Sequence, residues 1–211
     1  MAFIETIADR DIGDDVRAMY ERQQAHYGFV PNYARVFCYR PEIMQLWAQL
    51  QSGIKRHMDK RRFELLTFVA AHALRSTLCT LAHGKALTEF FSMEDVQAIG
   101  RGEAPKSLSE AEVAMLVLGR KVARDASAVT AGDIRQLKQH GFADAEIFDM
   151  VAVVAGRAFF SKVVESLGVE ADAPSRAMNS EFRNALTVGR PISIGLVPGS
   201  GHPNELGALT E

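Results

Sequence analysis

A long helical pattern occupies the segment FADAEIFDMVAVVAGRAFFSKVVESLG, residues 142–168. It ends at Gly168, a residue type that commonly closes helices because it accepts a left-handed backbone. The middle of the segment is apolar nearly all round, and a helix without a polar face must be covered by other elements. The valine run at 151–154 lies inside this helical period and has no turn signals beside it, so it does not indicate a strand. The segment therefore predicts the central helix of an all-α bundle.

Helical patterns also occupy the segments 14–27, 41–58, 60–91, 109–123 and 130–141. Their ends carry the acidic, serine, proline and glycine residues that commonly begin or close helices. Ser109 and Glu112, for example, have the spacing of a capping box. The segment 60–91 favours either one continuous helix or two helices separated near Ser76, whose side chain could cap the second. No convincing strand pair accompanies these patterns, which together predict an all-α fold.

The chain of 211 residues is long enough for one domain with a substantial core. A polar connector containing Gly100, Gly102 and Pro105 precedes the segment that begins at Ser109. The last part of the chain, residues 187–211, holds five glycines and three prolines, which forbid a regular helix there. We therefore predict a helical domain at 1–186, followed by an irregular C-terminal tail at 187–211.

The charge balance excludes several classes of partner. The chain has 24 basic and 26 acidic side chains, a formal net charge of -2, and so lacks the positive field that gathers nucleic acid phosphates. The N-terminus MAFIETIADRDIGDDV is acidic where a signal peptide would be basic and then apolar, and no apolar run approaches the length of a membrane span. We predict a cytoplasmic protein with no nucleic acid or membrane partner. A reducing compartment would keep its two cysteines, Cys38 and Cys79, as thiols at rest.

The stretch ALRSTLCTLAHGKAL, residues 73–87, places Cys79 and His83 one helical turn apart. If the segment 60–91 is one continuous helix, six residues lie within roughly 60° of one line along its surface. They are Glu64, Phe68, His72, Ser76, Cys79 and His83. If the helix breaks at Ser76, Cys79 lies in the first turn of a new helix, where free N–H groups and the helix dipole favour a thiolate. In both geometries His83 can take the thiol proton, and Glu64 can orient the imidazole and stabilise its charged form.

The same residues also fit roles outside catalysis. A cysteine in an apolar helix is most often a small buried hydrophobe, and from spacing alone this role is favoured for Cys79. His72 fits a hydrogen-bonded core or surface histidine, and Glu64 follows a basic run that would pair with it in solvent. A zinc site could be built from Glu64, His72, Cys79 and His83, but their spacing matches no standard zinc pattern.

The order Glu64, eleven residues, Ser76-x-x-Cys79-x-x-x-His83 closely resembles the peroxidase motif of a known superfamily. This is the carboxymuconolactone decarboxylase and alkylhydroperoxidase-D (AhpD-like) superfamily, in its peroxidase-related branch, where the motif reads Glu, eleven residues, C-x-x-C-x-x-x-H. The flanking segments GFVPNYARVFCYRPEIMQLW and ARDASAVTAGDIRQLKQHGFADAEIFDMVAVVAGRAFF also resemble that branch. The resemblance covers about residues 14–170 and implies an AhpD-like helical bundle.

The resemblance implies a role for each motif residue. Cys79 would be the peroxidatic thiolate, His83 the base that activates it, and Glu64 the carboxylate end of the relay. Ser76 departs from the motif, because it stands in place of the first cysteine, which ordinarily resolves the sulfenic acid by forming a disulfide. A hydroxyl cannot do this, so oxidised Cys79 would have to be reduced by an external thiol, or by Cys38 if packing brings the two together.

The implied function is a thiol-dependent hydroperoxide reductase that acts on a small hydroperoxide and needs no metal or bound cofactor. In this hypothesis, Ser76 and His72 are candidates for auxiliary roles at the site. Two alternatives stay open. One is decarboxylation or rearrangement of a small lactone or keto acid with His83 as general acid or base, and the other is a degenerate member that binds a small molecule without turnover. The superfamily also implies a homo-oligomer, typically a trimer or hexamer.

Overall fold

The structure of the protein is a computed structural model that describes residues 2–195. The helices in this range are α1 Asp14–Tyr27, α2 Asn32–Val36, α3 Pro41–Lys55, α4 Lys60–Ala73, α5 Thr77–Leu87, α6 Met93–Arg101, α7 Glu110–Arg124, α8 Ala131–Gln139, α9 Asp144–Ser166 and α10 Ser180–Leu186. Extended pairing within residues 2–195 is limited to one bridge, between Ala171 and Ile192. The prediction of an all-α fold is confirmed.

Helix α9 packs against α3, α4, α7 and α8, and α4 packs in turn against α5, α6 and α7. The larger hydrophobic cluster fills the space among α4, α5, α6, α7, α9 and α10. A second cluster joins the N-terminal helices to α5 and α9, and it includes both Cys38 and Cys79. The candidate thiol therefore lies where the N-terminal helices cover the bundle. No helix in the described part of the chain has the length and apolar character needed to cross a bilayer.

The helical stretch at 60–91 is broken, as one of the two sequence alternatives had it. Helix α4 ends at Ala73, Arg75 takes a left-handed backbone with a φ of 57°, and α5 begins at Thr77. Ser76 occupies the N-cap position of α5, but its side chain makes no capping hydrogen bond. The break places Cys79 at the third position of α5, within the first turn.

The predicted polar connector is helical in its first part, up to Arg101, whereas Gly102 and Pro105 lie in the irregular stretch before α7, as predicted. Helix α6 begins after Ser92, whose hydroxyl accepts a hydrogen bond from the Asp95 amide, and it ends at Gly102 with a φ of 91°. Gly100 lies inside the helix, where an added Cβ would come within 3.3 Å of the His72 ring. The glycine that suggested a connector thus allows close packing between α6 and α4. The short helices α2 and α10 also have no counterpart in the sequence prediction.

Residues 187–195, which we call the C-terminal segment, are irregular, as predicted, and pack against the bundle. The Gly189 amide donates to Thr77 Oγ1 at 2.8 Å, and the Arg190 guanidinium donates to the Glu165 carbonyl oxygen at 2.7 and 3.0 Å. A Cβ on Gly189 would lie 1.9 Å from the Arg75 carbonyl oxygen, so this position requires glycine. The remainder of the predicted tail, residues 196–211, lies outside the described residues. The division of the chain at residue 186 stays a prediction.

Candidate thiol site

The break between α4 and α5 brings Glu64 and His83 together across the two helices. The Nδ1 atom of His83 lies 2.6 Å from Oε2 of Glu64, and both side chains are largely buried. Burial, aided by the charge of Arg157 and opposed by the hydrogen bond to Glu64, lowers the pKa of His83 to about 4. The imidazole is therefore neutral at pH 7, with Nδ1–H donating to the carboxylate and the Nε2 lone pair free to accept a proton.

Glu64 itself remains ionised at neutral pH. Burial opposes its ionisation, but the hydrogen bond and charge of His83, together with the charges of Lys55 and Arg157, bring its pKa below the ordinary value. An ionised carboxylate on Nδ1 fixes the tautomer of the ring and stabilises the imidazolium that forms when Nε2 takes a proton. The predicted pairing of Glu64 with His83 is thus present in the geometry.

Cys79 is 1% exposed, and its sulfur contacts two donors on α9. Nη1 of Arg157 lies 3.5 Å from Sγ, and the hydroxyl oxygen of Ser161 lies 3.6 Å from Sγ. These residues are one turn apart on α9, so both reach the same sulfur. A guanidinium, a hydroxyl and the N-terminal turn of α5 together provide an environment that stabilises negative charge on sulfur.

Arg157 connects the sulfur to the Glu64–His83 pair. It is 5% exposed, contacts Cys79, and its positive charge lowers the pKa of both Glu64 and His83. Its guanidinium carbon lies 5.3 Å from the ring centre of Trp47 and 5.5 Å from that of Phe160, which hold the cation in place.

Sequence reasoning missed both Arg157 and Ser161. A signal for Arg157 was nevertheless present, because it is the only charged residue in the apolar run 150–161. A buried cation is costly unless nearby groups compensate its charge, so a lone arginine in a central helix marks a site to inspect.

The two auxiliary candidates lie on different sides of α4 and α5. Ser76 is fully buried at the start of α5, and its hydroxyl faces the carboxyl group of Glu165 on α9. His72 is half-buried, and its ring lies beside Phe68 and Gly100 on the side of α4 that packs against α6. Burial, with the charges of Arg120, Arg124 and Arg75, lowers the pKa of His72. Ser76 therefore lies beside Glu165 at the start of α5, and His72 lies in the packing of α6.

Cys38, the second thiol, is buried in the same hydrophobic cluster as Cys79, and both cysteines are free. The sulfur of Cys38 accepts a hydrogen bond from the Ile7 amide at 3.4 Å.

Among residues 2–195, no three His, Cys, Asp or Glu side chains are grouped closely enough to hold a metal ion. Of the four residues considered for zinc, Glu64 and His83 are in contact, whereas His72 lies on the side of α4 that packs against α6.

A cavity of about 240 Å³ lies beside the exposed face of α5. Leu78, which precedes Cys79, forms part of its wall, and Tyr33 forms another part. The Tyr33 ring also packs edge-on against Phe160, at 5.3 Å between ring centres. Burial raises the pKa of Tyr33, and the charges of Tyr27, Asp172 and Cys79 add to this effect. Tyr33 and Leu78 thus belong both to the wall of the cavity and to the hydrophobic cluster that contains Cys79.

The lowered pKa of His83 predicts an acid-sensitive fold. As the pH falls below 6.5, the unfolded chain takes up a proton on this histidine, whereas the folded chain does not until about pH 4. We expect this histidine to reduce the free energy of unfolding by about 2 kcal/mol between pH 7 and pH 5. Urea unfolding of the natural protein and of His83→Gln at both pH values measures the effect. An equal pH dependence in the two proteins would contradict the assignment.

The solved structures most informative for this site have the same fold. An uncharacterised peroxidase-related protein from Ralstonia eutropha JMP134, described as an alkylhydroperoxidase AhpD core, superposes with a TM-score of 0.70 at 20% identity, covering 90% of this chain and 98% of that one. A peroxidase-related protein from Silicibacter sp. TM1040 gives a TM-score of 0.68 at 20% identity, covering 88% and 95%. The predicted AhpD-like helical bundle is thereby confirmed as the fold of this chain.

A third structure with this fold is that of an enzyme. The debrominase Bmp8, as its C82A variant in complex with 2,3,4-tribromopyrrole, gives a TM-score of 0.67 at 14% identity and covers 84% of this chain and 95% of that one. No protein-family model and no curated protein sequence matches the chain. At these identities the likeness defines the fold, and the chemistry has to be argued from the residues of this chain.

Proposed function

We propose that the protein is a thiol-dependent hydroperoxide reductase with Cys79 as the peroxidatic residue. The observation that carries this proposal is the surrounding of the sulfur, which has a guanidinium nitrogen at 3.5 Å and a hydroxyl at 3.6 Å in the first turn of a helix. These groups stabilise the thiolate, which is the form that attacks peroxides. The folds of two peroxidase-related proteins and a debrominase support an enzymatic role.

The reaction uses the residues of the site as follows. His83 accepts the thiol proton on Nε2 while Glu64 stabilises the resulting imidazolium. The Cys79 thiolate attacks one peroxide oxygen, so that an S–O bond forms and the O–O bond breaks. The departing alkoxide or hydroxide takes the proton back from the imidazolium and leaves as an alcohol or water. Arg157, beside the sulfur, stabilises the negative charge that moves from sulfur to oxygen.

Ser76 determines how the oxidised enzyme is recovered. Its hydroxyl cannot form a disulfide with Cys79, so we propose that an external thiol reduces the sulfenic acid. The burial of Cys79 restricts the oxidant to molecules small enough to pass the side chains that cover it.

Mass spectrometry after one equivalent of hydrogen peroxide tests the proposal. We expect the natural protein to gain one oxygen, and peptide mapping to locate it on Cys79. A disulfide between Cys38 and Cys79 would refute recovery by an external thiol and leave the peroxidatic role intact. An unchanged mass would overturn the peroxidase function and favour one of the two alternatives. Release of carbon dioxide from a small lactone or keto acid would then distinguish an enzyme of the decarboxylase type from a protein that only binds a small molecule.

We also propose that the protein is a homo-oligomer. Helix α3 exposes a row of apolar side chains at helical spacing, Ile43, Leu46 and Leu50, and it packs against α9, which exposes Phe159. Such rows commonly mark an interface between chains. Light scattering should give a particle mass that is a multiple of the 23.2 kDa chain mass. The Leu46→Glu variant should have a lower particle mass, because a charge in this row disrupts the interface. The control Val117→Glu, at an exposed site on α7, should leave the mass unchanged, whereas a monomeric natural protein would refute the proposal.

A further inference from the structure

Helix α9 presents three polar side chains to the start of α5 at successive turns. The first two, Arg157 and Ser161, contact the sulfur of Cys79. The third, Glu165, faces the hydroxyl of Ser76. The row therefore extends from the reactive sulfur to the position three residues before it.

Glu165 and Ser76 each have a buried polar atom without a hydrogen-bond partner. Oε1 of Glu165 and Oγ of Ser76 are both buried, and within residues 2–195 neither makes a hydrogen bond of normal geometry. The other carboxyl oxygen, Oε2, lies 3.5 Å from Nε of Arg190 in the C-terminal segment. Buried polar atoms without partners are rare in folded proteins and commonly mark places where water or a reacting group binds.

The surroundings of Glu165 favour retention of a proton. Burial raises its pKa above the ordinary value, and the effects of Ser76 and Arg190, which act in the opposite direction, are smaller. The charged group that faces Glu165 is Arg190, and the hydroxyl that faces it is that of Ser76, from the junction between α4 and α5.

We propose that Glu165, acting through the Ser76 hydroxyl, delivers the proton that the departing oxygen requires when an external thiol reduces oxidised Cys79. Glu165 is thus a positioning residue, because it acts through Ser76. The proposal rests on the proposed peroxidase function and adds a residue to its second half-reaction. The serine in place of a resolving cysteine then has a chemical role of its own.

The half-reaction balances as follows. The incoming thiolate attacks the sulfur of Cys79, so that an S–S bond forms and the S–O bond of the sulfenic acid breaks. The departing hydroxide takes a proton from the Ser76 hydroxyl, which regains one from Glu165, and water leaves. A second external thiolate then attacks the mixed disulfide and releases the Cys79 thiolate. Two external thiols are oxidised to one disulfide, and one sulfenic acid is reduced.

The test follows this half-reaction alone, in a Cys38→Ser background so that Cys79 is the only thiol. The protein is oxidised with one equivalent of hydrogen peroxide, its mass is recorded, and 2-nitro-5-thiobenzoate is added. Because the rate also depends on the thiolate fraction of the reagent, each variant is compared with the background protein at the same pH. Loss of the reagent's absorbance gives the rate of attack on the sulfenic acid.

We expect the rate with Glu165 and Ser76 intact to fall as the pH rises, because the proton donor is lost. Glu165→Gln and Ser76→Ala should each be at least about tenfold slower at the acidic end and should lose the pH dependence. Glu181→Gln, at an exposed glutamate of α10, is the matched control and should match the background protein.

Three results would overturn the proposal. The rate in the background protein could be independent of pH, the two variants could be slowed equally at every pH, or the oxidised background protein could fail to react with the thiol. A mass unchanged by peroxide before the thiol is added would instead identify failure of the peroxidase function, and the present proposal would fall with it.

Discussion

Replacement of Ser76 by cysteine is expected to convert the product of peroxide treatment from a sulfenic acid to an internal disulfide. Ser76 and Cys79 lie three residues apart at the start of α5, and both side chains face α9, one toward Glu165 and the other toward Ser161. Residues so placed can approach the distance required for a disulfide. In a Cys38→Ser background, the Ser76→Cys variant should therefore lose two hydrogens, whereas the protein with Ser76 should gain one oxygen.

The matched control for this experiment is Thr80→Cys in the same background. Thr80 is as fully buried as Ser76, but it follows Cys79 directly and so points about 100° away around the helix. We expect this variant to gain oxygen and to form no disulfide with Cys79. A gain of oxygen by Ser76→Cys as well would show that the two positions do not share a face, and the geometry argued for the start of α5 would be wrong.

Removal of the guanidinium of Arg157 is expected to slow the oxidation of Cys79 by about a hundredfold, which is typical when one donor to a developing charge is removed. The suitable change is Arg157→Met, because methionine fills a similar space between Trp47 and Phe160 without the charge. The second-order rate constant for hydrogen peroxide, followed by mass, measures the effect.

Two comparisons separate this electrostatic effect from a loss of folding. Removal of one charge from a buried charged cluster costs stability, because the Glu64 carboxylate loses a compensating charge, so the rates are compared without denaturant, where circular dichroism must show Arg157→Met to be folded. Arg157→Lys keeps the charge and should recover part of the rate. A natural rate in Arg157→Met would exclude the guanidinium from the reaction.

The fold could be predicted from the sequence wherever hydrophobic periodicity and capping residues coincide. Helix α1 was predicted with its observed bounds, and α9 was recognised from its apolar middle. The prediction failed at α6, because glycine is a weak signal in isolation. Gly100 lies inside that helix and packs against His72, a contact that arises only when two helices distant in the sequence meet. Helices as short as α2 contain too few turns to show a period.

The residues of the candidate site also fall into two groups, those that the sequence is sufficient to select and those that only helix packing brings to Cys79. Glu64, Cys79 and His83 lie within 20 residues of one another, so spacing along the chain and the resemblance of the motif were sufficient to select them. Arg157 and Ser161 contact Cys79 from 78 and 82 residues further along the chain. Such contacts are fixed by how α9 packs against α5, which one sequence does not specify. Their spacing of one helical turn in the apolar run 150–161 is the signal that the sequence offers.

The contact of Gly189 with the start of α5 ties two distant parts of the chain into one cooperative unit. The Gly189 amide is bonded to Thr77, and its Cα lies so close to the Arg75 carbonyl that only glycine fits. The first turn of α5 therefore cannot unravel without release of the C-terminal segment. We expect the amide hydrogens of the first turn of α5 and those of the C-terminal segment to exchange with solvent at a common rate, as they do within a single unit of local unfolding. That rate would set an upper limit on how fast large reagents reach the buried sulfur from this side.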